Sequence, residues 1–129
     1  MFGGGAVSAM SFKQKCVALS SSQAEYHALS EAAREGVHLL KLFEDLHVAV
    51  QRPIKIFSDS QVAMTIAESP ALTASTKHVD TRYHFVRDLV EAGEVKTTYL
   101  QSNQLPADLL TKTLPGDRTT QHRRAILGN

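Results

Sequence analysis

The chain has no tryptophan and one cysteine, Cys16, among its 129 residues. A single cysteine cannot form an intrachain disulfide, and it excludes a zinc site built from several cysteines. No uninterrupted apolar run approaches the roughly 20 residues that a membrane-spanning helix needs. The first five residues lack the basic and apolar regions of a signal peptide. These absences predict an intracellular protein, in the cytoplasm or the nucleus, that does not bind a membrane.

The chain also lacks an excess of either charge, since 14 basic residues stand against 13 acidic ones and the net charge is +1. No overall field therefore attracts it to nucleic acid or anionic lipid, and any basic surface must be local. Hydrophobic residues make up 43% of the sequence, enough for one domain with a core. We expect a single domain over residues 1–129, with a core in 1–116 and a C-terminal helical tail in 117–129.

Hydrophobic spacing along the chain predicts alternating strands and helices, which is the order of an α/β protein. Proline and glycine mark several boundaries, and Gly93 is expected to end a helix. The predicted elements are a strand at 6–12, a helix at 22–47, a strand at 54–57, a helix at 61–68, a loop at 71–76, a helix at 80–92, a strand at 95–100, and helical segments at 105–110 and 118–127.

Three carboxylates lie where α/β proteins commonly carry chemistry. Asp59 follows a predicted buried strand, Glu25 lies early in the long helix, and Asp108 lies near the start of a late helix. Carboxylates from strand ends and helix starts can hold Mg²⁺, which prefers oxygen ligands. Two such ions can activate water and stabilise the leaving oxygen in phosphodiester cleavage.

Each of these carboxylates also has a purely structural explanation. Ser22 and Glu25 have the spacing of a capping box, in which the glutamate satisfies a backbone donor. Asp59 is in a position to cap the following helix, and Asp108 to interact with a helix dipole. Spacing alone leaves these alternatives open.

Residues 77–87 concentrate three fixed positive charges, two histidines and two aromatic rings. Such a surface fits backbone phosphates. One alternative is a solvated helix face with the apolar side chains turned inward, and another is a zinc site of His78, Asp80 and His84. The residues expected to bind nucleic acid are Lys77, His78, Arg82, His84 and Arg87.

Four segments of the chain, in this order, resemble the ribonuclease H domain of Ty1/copia-type retrotransposon polyproteins. The resemblance extends from about residue 3 to residue 127, and four matching segments in the family's order are highly specific. The segments are 17–32, 56–61, 76–87 and 107–112.

The resemblance implies a ribonuclease H-like mixed sheet flanked by helices. It also implies Mg²⁺-dependent hydrolysis of the RNA strand of an RNA–DNA hybrid. The family's acidic site falls on Glu25, Asp59 and Asp108, which become the expected catalytic residues and metal ligands.

The sequence departs from the family at its start. The family's first strand, with its leading aspartate, and its second strand precede a glycine-rich turn that here is Gly3-Gly4-Gly5. No aspartate or glutamate precedes Glu25. We therefore expect weak Mg²⁺ binding or none, and little or no cleavage by this chain alone. The two missing strands would expose sheet edges, which predicts a homodimer or a partner protein.

Two hypotheses describe the function of this chain. The first is a retrotransposon-derived ribonuclease H-like domain that retains affinity for RNA–DNA hybrids or other nucleic acid. The second is a non-catalytic interaction or effector protein that uses the fold as a binding scaffold.

Overall fold

The computed structural model describes residues 4–11, 13, 21–69 and 81–128, with the backbone alone for 81–83. Within these residues, helices both precede and follow each strand, and the predicted α/β class is confirmed. The main elements are α1 (Ser21–Asp45), β1 (Ile54–Ser58), α2 (Gln61–Glu68), α3 (Thr81–Glu91), β2 (Val95–Tyr99) and α4 (Gly116–Leu127). Two short 3-10 helices, Ser102–Gln104 and Pro106–Leu110, lie between β2 and α4.

Strands β1 and β2 form a parallel pair, with the register running from Ile54 opposite Val95 to Ser58 opposite Tyr99. Because the pair is parallel, the carboxyl ends of both strands lie at the same edge. A mixed sheet also contains an antiparallel strand pair, and the described residues form none.

The chain divides into two compact units, one formed by residues 17–99 and the other by 1–16 with 100–129. In the first unit, α1 buries a stripe of side chains at helical spacing. Helices α2 and α3 pack on α1 and on β2. The core residues are Tyr26, Leu29, Ala33, Ile56, Ala63, Ala67, Val86 and Val95.

Two glycines of this unit have different structural roles. A Cβ on Gly36 would lie 3.6 Å from a side-chain carbon of Ile54, which shows how near α1 comes to β1. Gly93 has φ +70 and follows α3. Its N–H donates to the carbonyl of Val90, and the N–H of Glu94 donates to that of Leu89. This pair of bonds is a Schellman motif, and the predicted helix end at Gly93 is confirmed.

The other unit has a different local structure from the predicted one at its amino-terminal end. The strand predicted at 6–12 is wrong, because residues 6–11 form no strand and only Gly5 is bridged. Two single hydrogen bonds join this segment to residues distant in sequence. Ala6 N–H donates to the Ile126 carbonyl at 2.8 Å, and Ser11 Oγ donates to the Leu110 carbonyl at 3.3 Å. A weak alternation of small residues without a continuous neighbouring strand does not make a ladder.

The remaining elements agree with the predictions in position. Helix α4 occupies most of the predicted tail, and the segment predicted as helical at 105–110 is 3-10 helix from Pro106 to Leu110. The loop predicted at 71–76 lies outside the described residues. No helix in the described part of the chain is both long and apolar enough to span a bilayer.

Candidate functional site

Asp59 stands between the end of β1 and the start of α2. The next residue, Ser60, has an extended backbone (φ −94, ψ 98) and its side chain accepts a hydrogen bond from Ala63 N–H at 3.2 Å. Ser60 N–H donates to Ser58 Oγ at 3.1 Å. Ser60 is therefore the N-cap, and the alternative in which Asp59 caps α2 is wrong. The half-buried Asp59 is held beside the strand end by this turn.

Glu25 lies on α1, one turn after the first helical residue, Ser21. An N-cap residue has non-helical dihedral angles, whereas Ser22 is already inside the helix. The capping-box alternative for Ser22 and Glu25 is therefore wrong. Glu25 is exposed, while the next residue, Tyr26, is fully buried and fixes this face of α1 against the core.

Glu25 and Asp59 line the same open cleft, which has a volume of about 450 Å³. The cleft lies where the start of α1 meets the carboxyl ends of both strands. In open α/β sheets, ligands commonly bind outside the carboxyl ends of the strands. The other lining residues are Ser21, Ser22, Ser60, Gln61, Val62 and Tyr99.

The lining of this cleft is rich in oxygen and carries two acidic side chains. Carboxylate and hydroxyl oxygens suit a hard divalent cation, which retains several of its waters when few carboxylates bind it. The chemistry of these donor atoms is compatible with Mg²⁺, and the two carboxylates in the lining are those of Glu25 and Asp59. No group of three or more His, Cys, Asp or Glu side chains suited to a metal ion occurs within the described residues.

Asp108, the third predicted carboxylate, belongs to the unit that includes residues 100–129. It lies in the first turn of the 3-10 helix Pro106–Leu110, as the dipole alternative predicts. Both of its carboxylate oxygens accept from Lys112 Nζ at 3.0 Å, and its side chain is 13% exposed. In its own unit, Asp108 is thus part of an ion pair within one turn.

The predicted basic patch is described only in part. Lys77 and His78 lie outside the described residues, and Asp80 of the alternative zinc site lies there too. Arg82 is described by its backbone alone, at the start of α3. His84 lies on α3 and is exposed, so a ligand can reach its side chain.

Arg87 differs from the solvent-facing cation that phosphate binding requires. Arg87 is only 8% exposed, and its Nε has no hydrogen-bond partner among the described residues. Val86 is fully buried, and Phe85 and Leu89 pack against the core. The inward orientation of the apolar residues on α3 is confirmed, and Arg87 is buried beside them.

Tyr99 is a cleft residue that the sequence analysis missed. It ends β2 directly opposite Ser58, the last residue of β1. Sequence alone predicts that Tyr99 lies near a strand end. Its place in the cleft follows only from the tertiary structure, which shows that β1 is the neighbouring strand and runs parallel to β2. With both strands parallel, Tyr99 lines the cleft with Asp59 and Glu25.

The fold and the cleft define an α/β protein with an acidic, oxygen-lined site at the carboxyl ends of parallel strands. Its relatives are retrovirus-related Pol polyproteins of plant transposons. The chain is 38% identical over 117 residues to the Pol polyprotein of transposon TNT 1-94 from Nicotiana tabacum. It is 32% and 31% identical over 108 residues to those of transposons RE1 and RE2 from Arabidopsis thaliana.

These similarities cover most of this chain and a small part of each relative. They include 91% of the chain for the tobacco protein and 84% for the two from Arabidopsis. The chain spans only 9% and 7% of the lengths of these relatives. No family model and no solved structure matches it. The predicted relationship to retrotransposon Pol polyproteins is confirmed.

Proposed function

We propose that the chain is a ribonuclease H-like segment of a transposon Pol polyprotein, with a divalent-cation site in the Glu25–Asp59 cleft. The observation that carries this proposal is the presence of both carboxylates in one open cleft at the strand ends. Neither capping alternative accounts for them. The homology to Pol polyproteins supports the same assignment.

The residues of the cleft would hold Mg²⁺ through Glu25 and Asp59. A bound Mg²⁺ ion in such a site stabilises negative charge on phosphate oxygens. Ser60 keeps Asp59 at the strand end through its hydrogen bond to α2, and the buried Tyr26 keeps α1, and thus Glu25, in place. The substrate proposed from the resemblance is an RNA–DNA hybrid.

Cation binding by the cleft is tested by titrating Mg²⁺ and following backbone amide shifts by NMR. We expect Glu25→Gln and Asp59→Asn each to weaken binding by at least about tenfold, since each removes a charge interaction worth about 1.4 kcal/mol or more. Asp88→Asn, which alters an exposed acid on α3, is the matched control and should leave the affinity unchanged. Equal effects of all three substitutions would contradict the proposed site.

The role of Asp108 is tested separately, because its local partner is Lys112. If Asp108 also contributes to the cation site, Asp108→Asn will lower Mg²⁺ affinity while Lys112→Gln will not. If Asp108 serves only the ion pair, the two substitutions will have the same small effect on stability and none on the cation.

Cleavage by these 129 residues alone is expected to be absent. No acidic residue precedes Glu25 in them, so the family's leading aspartate has no counterpart here. An RNA–DNA hybrid incubated with Mg²⁺ or Mn²⁺ should show no cleavage above that of the Glu25→Gln, Asp59→Asn variant. Cleavage that these changes abolish would overturn this expectation. Absence of both cation and hybrid binding would instead favour the non-catalytic interaction module.

A further inference from the structure

The two faces of the sheet in the 17–99 unit have different environments. Helix α1 packs on β1, and α2 and α3 pack on β2. Ile56 and its neighbour Thr97 are buried on that covered side. Because side chains alternate along a strand, the adjacent residues lie on the opposite face. This opposite face carries Lys55, Phe57, Lys96 and Thr98, and we call it the Lys55–Phe57–Lys96 face.

Two positive charges are paired across the strands on this face. Lys55 lies directly opposite Lys96, and both are exposed. Neighbouring strands are about 4.8 Å apart, so like charges in this arrangement repel. Glu94, two residues before Lys96, is 3.9 Å from Arg52. In the described part of the chain, neither lysine has an ion pair.

An aromatic ring lies beside the two charges. Phe57 is two residues beyond Lys55 on the same face, a distance of about 6.6 Å along the strand. Phe57 is 49% exposed. Its neighbour across the sheet is Thr98, whose side chain is smaller than an aromatic ring.

We infer that the Lys55–Phe57–Lys96 face binds single-stranded nucleic acid. The ammonium groups of Lys55 and Lys96 contact backbone phosphates, and the ring of Phe57 stacks on a base. Charge complementarity selects a polyanion, and the exposed ring selects one that carries flat bases over an acidic peptide. The face shares no residue with the Glu25–Asp59 cleft, so this is a second surface and goes beyond the proposed function.

The experiment is fluorescence anisotropy of a labelled oligodeoxythymidylate of about ten nucleotides with the full chain, in EDTA. We expect Lys55→Gln and Lys96→Gln each to reduce the log–log salt slope by about 0.7, the contribution of one phosphate on a single strand. Phe57→Leu should lower the affinity by about fivefold or more and leave the slope unchanged. Lys41→Gln, an exposed lysine on α1, is the matched control and should change neither.

Three results would overturn the inference. They are no binding by the unaltered chain, an equal effect of Lys41→Gln, and no effect of Phe57→Leu combined with full competition by polyglutamate. The last result would assign the face to an acidic protein segment. Circular dichroism and a melting curve for each variant show that the fold is intact.

The outcome is independent of the cation site. Oligonucleotide binding is measured in EDTA, which removes divalent ions, so the result does not depend on occupancy of the Glu25–Asp59 cleft. Conversely, Lys55→Gln should leave the Mg²⁺ titration unchanged. Failure of one proposal can thus be distinguished from failure of the other.

Discussion

Asp59 and Ser60 are adjacent residues with separate roles. Ser60 supplies the acceptor for the first turn of α2, and Asp59 lines the cleft. Both are residue types that cap helices, so the local sequence does not distinguish them. The dihedral angles at Ser60 decide which one is the cap. The consequence is that the carboxylate of Asp59 is not accounted for by helix capping.

At the residue scale, we predict that Ser60→Ala lowers the free energy of unfolding by about 1 kcal/mol, because Ala63 N–H loses its acceptor. Ser60→Asp retains an acceptor at the cap and should stay within a few tenths of a kcal/mol of the unaltered chain. Urea unfolding followed by circular dichroism measures both. An equal loss for the two variants would show that the hydroxyl does not act as a cap.

The observed helix boundaries agree closely with those predicted from the sequence. Helix α2 runs from Gln61 to Glu68 as predicted, because Ser60 caps it and the sequence continues with Ser69-Pro70. The residue before a proline is disfavoured in the helical region, and Ser69 is extended. The predicted strand at 6–12 is wrong. Helix ends depend on local signals, whereas a strand depends on a partner strand that the local sequence does not specify.

At the element scale, packing of α3 against the core depends on Val86, which is fully buried. We predict that Val86→Ala lowers the free energy of unfolding by about 2 kcal/mol, through lost burial and a residual cavity. The matched control is Val62→Ala on α2, where the side chain is 53% exposed. That change should be neutral or slightly stabilising, because alanine favours a helix. Equal losses in urea unfolding would contradict the packing of α3.

For the whole molecule, the arrangement of the sheet bears on assembly. Among the described residues, β1 and β2 are each other's only partners, so each strand has one edge without a neighbouring strand. Exposed strand edges present unpaired N–H and C=O groups that favour pairing with another chain. This observation supports the expected homodimer, which remains a prediction.

We predict that the chain sediments with twice the monomer mass at micromolar concentration, because pairing of strand edges buries these polar groups in hydrogen bonds. Analytical ultracentrifugation over a concentration series measures the mass. A monomer at all concentrations, with one cooperative unfolding transition, would show that the edges are satisfied within the chain.

Local sequence patterns are sufficient to predict the α/β order, the helix end at Gly93 and the candidate acidic residues. Local signals carry these features, because capping, glycine conformation and hydrophobic spacing act over a few residues. Tertiary structure decided that Glu25 and Asp59 share a cleft with Tyr99, and that Arg87 is buried. The parallel direction of β1 and β2 and the packing of α1 bring the acidic residues together. Such contacts depend on how elements distant in sequence bury their apolar faces against each other.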